Sequence, residues 1–172
     1  MMNARCHVLT RTALLLALTL LFQSLRLVIP LPVFMSTLLI GTLVNACLLI
    51  AAEAIGVRSA LAISVMAPIV AYMQQLLPLP VFIVPVLAGN VAYVLLFLAV
   101  FRWRRWLAII TAGVGKMAVL YACFAWMLTW IALPAPVASG LLFIMSWPQL
   151  VTSLCGGFVA GIVVRRIGSR IE

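Results

Sequence analysis

Residues 81–106, VFIVPVLAGNVAYVLLFLAVFRWRRW, stay uncharged from Val81 to Phe101 and then meet Arg102, Arg104 and Arg105, interleaved with Trp103 and Trp106. Crossing the hydrocarbon core of a bilayer takes about 20 apolar residues in a helix. Arginines with indole rings beside them mark the point where such a helix leaves the lipid. This stretch therefore reads as one transmembrane helix with its basic end at an interface, and the rest of the chain repeats the pattern.

Breaks at charges and at Pro or Gly clusters divide the 172 residues into six segments. They run from about Leu9 to Ile29, Ser36 to Ala54, Ser59 to Leu77 (with Pro68 inside), Val81 to Phe101, Leu107 to Ile131, and Met145 to Val164. The expected fold is all-α: one domain over residues 1–172, an integral membrane bundle of six transmembrane helices. Composition agrees, with 67% hydrophobic and 8% charged residues against about 25% charged in a soluble domain.

The net charge of +9 would suggest nucleic acid in a soluble protein. Here position explains it. Arg5, Arg11, Arg58, Arg102, Arg104, Arg105, Arg165, Arg166 and Arg170 all fall at one end of the segments, whereas the opposite loops hold only Arg26 and the prolines Pro30/Pro32, Pro78/Pro80 and Pro134/Pro136. Short cytoplasmic loops carry the excess of basic residues, so both termini are expected in the cytoplasm. Trp103 and Trp106 at one interface and Trp130 and Trp147 at the other fit aromatic belts. The run "RTALLLALTLL" has the positive start and apolar core of a signal peptide but no small-x-small cleavage site, and reads as a retained helix.

Catalytic raw material is scarce. His7 is the single histidine, and Glu53 and Glu172 are the only carboxylates. No hydrolytic dyad, metal cluster or carboxylate proton relay can be assembled from them, so no enzyme, cofactor or metal site is expected. Glu53 is expected to pair with Arg58 or another loop arginine. Cys6, Cys47, Cys123 and Cys155 lack paired spacing and read as small apolar residues.

Uncharged polar residues inside the helices are more informative. Gln149, Thr152, Ser153, Gly156 and Ala160 recur at three- and four-residue intervals, which puts them on one inward face of the last helix. Gly157 and Gly161 make a GxxxG pair beside it. Asn90 lies nine residues into its helix, about 13 Å deep, with Tyr93 one turn further in.

Lys116, the only lysine, is equally deep from the basic end. A lysine stem reaches about 6 Å, so snorkelling cannot take it to the interface. It must face the interior or a wet cavity, with its counter-charge supplied by carbonyls, Asn90, water or an incoming anion. Cys123, Met127 and Trp130 share its face and lead toward the other mouth. The candidate substrate-binding set is thus Lys116, Asn90, Gln149, Trp147 and Trp130, with Arg26 at the rim.

On the first helix, Ala13 and Ala17 stand four apart, a spacing that lets another helix approach closely. With "RTALLLALTLLFQ", "LVNACLLIAAEAIGVRSALAISVMAPIVAYM", "VLAGNVAYVLLF" and "SWPQLVTSLCGGFVAGIV", the chain resembles the substrate-binding S components of energy-coupling factor (ECF) transporters. The resemblance covers nearly the whole chain. It implies a prokaryotic plasma-membrane protein that captures a vitamin or related micronutrient from outside. It also implies docking through Ala13 and Ala17 onto a coupling subunit carrying two ATPase subunits, and delivery of the substrate by toppling in the lipid. In that family the pocket opens outward and is built mainly from helices 4 to 6 and the outer loops. With Lys116 and Arg26 available, an anionic or neutral heteroaromatic ligand is expected rather than a cation. The alternative of another class is a MreD-like scaffold of the cell envelope, which would have little use for an interior polar set. A solitary secondary transporter would want internal repeats and coupling carboxylates, and neither is present.

Overall fold

Every element among the described residues of the computed structural model is helical, as the long apolar runs led one to expect; it describes residues 2–29 and 32–168, leaving aside the side chains of 2–5, 33 and 168. Pro30, Arg170, Glu172 and the side chain of Arg5 lie outside the described residues. The helices are α1 (Met2–Val28), α2 (Val33–Ala54), α3 (Val57–Met73), α4 (Ile83–Phe101) entered through a short 3-10 turn at Pro80–Phe82, α5 (Arg105–Leu128), α6 (Ala135–Ile144) and α7 (Trp147–Gly168). Five helical stretches are long and apolar enough to cross a membrane, with α6 and α7 counted as one, and α3 is a shorter apolar helix of 17 residues.

The edges depart from the sequence reading for identifiable reasons. Helix α3 ends at Met73, four residues early, because Gln75 takes a left-handed φ of 58° and the Leu76 N–H turns back to the Ala71 carbonyl. This is a Schellman-type stop, which a count of apolar residues does not see. Helix α6 occupies a stretch read as loop. Pro134 and Pro136 open it, because a proline near a helix start gives up an N–H that had no partner there.

Packing pairs α2 with α7 and α4 with α5 most extensively, and α5 also lies on α7. The α2–α7 approach is set by Gly156, where an added Cβ would stand 2.7 Å from Asn45 Cβ and 2.8 Å from the Thr42 carbonyl oxygen. Two apolar clusters result. One, toward the arginine-bearing end, holds Leu48, Leu49, Ile63, Tyr93, Val94 and Phe97. The other, toward the proline-rich end, holds Leu77, Phe82, Leu120, Phe124 and Met145. Glu53 lies at the arginine end and forms a two-pronged ion pair with Arg105, both contacts at 2.7 Å. Its partner is Arg105, which the sequence reading placed in a loop and which is here the first residue of α5, and not the exposed Arg58. The outside of the bundle is itself apolar, with Leu14, Val84, Trp126 and Phe158 among its exposed side chains. A surface of that kind suits lipid and not water.

Candidate functional site

Between the two apolar clusters lies a polar layer. Four helices each contribute an amide, ammonium or hydroxyl from mid-helix: Asn45 from α2, Asn90 from α4, Lys116 from α5, and Thr152 and Ser153 from α7. Lys116 is 12 residues from Leu128, so it sits about 18 Å below that end of α5. It is only 4% exposed. Its ammonium donates to Asn90 Oδ1 at 2.9 Å and to Asn45 Oδ1, and it stands 5.2 Å from the centre of the Tyr93 ring. A ring face at that distance attracts a cation.

The layer extends behind the lysine. Asn45 Nδ2 donates to Thr152 Oγ1 at 3.2 Å and reaches Ser153 Oγ at 3.5 Å, while the Tyr93 hydroxyl donates to the Ser153 carbonyl at 2.6 Å. With their oxygens committed to Lys116, both asparagines have a fixed amide orientation. No described carboxylate shares the layer, since Glu53 is held by Arg105. Dipoles of neutral groups are the only local compensation for the ammonium.

Above this floor a cavity of about 260 Å³ extends toward the proline-rich end. Lys116, Asn45 and Asn90 line its base, and Arg26, Thr37 and Gln149 line it nearer the helix ends. Its walls are aliphatic, including Ile40, Val44, Leu77, Leu120 and Ile144. Gln149 is half-buried and donates to the Ile144 carbonyl at 3.4 Å, and Arg26 donates to Thr37 Oγ1 at 3.0 Å.

Four of the six expected binding residues therefore meet around one cavity: Lys116, Asn90, Gln149 and Arg26. Trp130 and Trp147 do not line it. Helix α5 stops at Leu128, so helical spacing no longer governs position 130, and Trp130 is 78% exposed with its ring edge-on to Trp126. The inward face of α5 continues instead through Leu120 and Phe124. Trp147 packs against Phe34 and Phe143 on the outside of the bundle. Two residues were missed. Asn45 and Gln23 carry the same signal that singled out Asn90, an amide well inside an apolar helix, and both line the cavity.

Helix α1 places Ala13 and Ala17 on an exposed strip with Leu14, Leu18 and Leu21, away from the cavity. Its other face is tied into the bundle by Thr12, whose hydroxyl donates to Ser59 Oγ at 2.8 Å, and by Gln23, whose Nε2 donates to the Ala67 carbonyl at 3.1 Å. No protein-family model, curated protein or solved structure matches the chain.

Proposed function

We propose that this chain is the substrate-binding S component of an ECF-type importer: a six-helix protein of the prokaryotic plasma membrane with both termini inside. It captures a small vitamin-like molecule from outside and docks through α1 onto a coupling subunit with two ATPases. The observation that carries the reading is the cavity floored by Lys116. A buried ammonium held only by two amide oxygens and a ring is costly in lipid, and an anionic or polar ligand would offset that cost. The cavity lies toward the proline-rich end, away from the arginines that the positive-inside pattern assigns to the cytoplasm. The exposed Ala13/Ala17 strip on α1 offers the close helix approach that docking needs.

Affinity purification of the tagged chain from its own membranes in mild detergent tests the reading. Expected is a complex with one coupling subunit and two ATPases, lost when Ala13 and Ala17 are both replaced by Leu, while ligand binding by the variant persists. Recovery of cell-wall synthesis proteins with no ATPase would instead make the chain a MreD-like scaffold.

A further inference from the structure

The buried polar groups that line the cavity with hydrogen-bonding capacity to spare are of two complementary kinds, on two sides of it. At the floor everything left over is a donor. Lys116 uses its hydrogen bonds on Asn45 Oδ1 and Asn90 Oδ1, an ammonium carries three N–H groups, and Asn90 Nδ2 has no acceptor among the described residues. Positive charge and unspent N–H groups converging on one spot call for an anionic oxygen.

On the α1 side, the buried atom left without a partner is an acceptor. Gln23 is 7% exposed and lines the cavity, and its Nε2 is committed to the Ala67 carbonyl. That bond fixes which atom is the oxygen, and Gln23 Oε1 is buried without a hydrogen-bond partner. A buried acceptor left unpaired is unfavourable, so this position calls for an O–H or N–H. Helix α1 packs on α2 and α3, whereas α5 packs on α4 and α7, so Gln23 and Lys116 line the cavity from different sides.

Between the two sides the lining is mostly aliphatic, with Arg26, Thr37 and Gln149 nearer the helix ends and no Phe, Tyr or Trp among the cavity residues. Flat heteroaromatic ligands are held by stacking on such rings, and here none is offered. The volume of about 260 Å³ is below the range of drug-sized sites.

We propose that the cavity takes a small aliphatic acid: a carboxylate seated on Lys116 and Asn90, a saturated chain along the aliphatic walls, and an O–H or N–H at the far end donating to Gln23 Oε1. This rests on the binding role proposed above and replaces the heteroaromatic expectation with an aliphatic one.

Titration calorimetry of the full chain in lipid nanodiscs, after exhaustive dialysis and with empty nanodiscs subtracted, tests it. The probes are ω-hydroxyoctanoate, octanoate and nicotinate, a flat heteroaromatic carboxylate. The wild type should bind ω-hydroxyoctanoate at least tenfold more tightly than either of the others. Gln23→Leu should bring ω-hydroxyoctanoate down to the affinity of octanoate, with Gln23→Met as the second variant if Leu disturbs folding. Lys116→Met should weaken both aliphatic acids at least tenfold. Nicotinate binding as tightly as ω-hydroxyoctanoate, or no advantage from the terminal hydroxyl, would overturn the ligand class and leave the binding role standing. Binding of no probe, together with no small molecule released from the purified protein on denaturation, would remove the binding role as well.

Discussion

At the scale of single residues, the polar layer behaves as one linked unit. Asn45 serves both sides of it, accepting from Lys116 and donating toward Thr152 and Ser153. Asn45→Leu removes the acceptor and the donor together, and leaving buried groups unpaired costs about 1–3 kcal/mol each. Tyr93→Phe deletes only the 2.6 Å bond to the Ser153 carbonyl, and should cost about 1 kcal/mol. Thermal unfolding in detergent should rank Asn45→Leu well below Tyr93→Phe, and equal melting points would show that the layer is not coupled through Asn45. The sequence makes part of this unit legible. Lys116 and Asn90 stand out because a charge and an amide are rare in apolar runs. Their pairing across helices depends on rotation and level, which one chain's spacing does not contain.

At the scale of elements, the glycines of α7 and α5 differ in what they permit. At Gly156 an added Cβ would meet the Thr42 carbonyl oxygen at 2.8 Å and the Ala46 nitrogen at 3.0 Å, both backbone atoms that cannot swing aside. At Gly115 the nearest atom is Leu96 Cδ1 at 2.1 Å, the end of a flexible side chain. Gly156→Ala should therefore push α7 off α2, destabilise by about 1–3 kcal/mol and disturb the cavity floor through Asn45. Gly115→Ala should change melting little, so comparable losses from the two would contradict this account of the packing. The inward face of α7 was readable from the three- and four-residue recurrence of Gln149, Thr152, Ser153, Gly156 and Ala160, because a straight helix keeps that geometry. Helix α6 and the stop of α3 were not, since they turn on capping at Pro134 and a left-handed Gln75 and not on periodicity.

At the scale of the whole molecule, the proposed orientation puts the arginine-bearing end in the cytoplasm and the proline-rich end outside. In a variant with its native cysteines replaced, Ser139→Cys on exposed α6 should react with a membrane-impermeant maleimide added to intact cells. A cysteine kept only at exposed Cys6 should react after lysis and not before. The reverse pattern would invert the bundle and turn the cavity to the cytoplasm. The central claim is that the cavity above Lys116 holds a small molecule, and native mass spectrometry of the detergent-purified chain, followed by denaturing release, tests it most directly. The account predicts a small-molecule adduct on the wild type that is lost from a folded Lys116→Met variant. A bare wild-type protein, or an adduct kept unchanged by Lys116→Met, would contradict it.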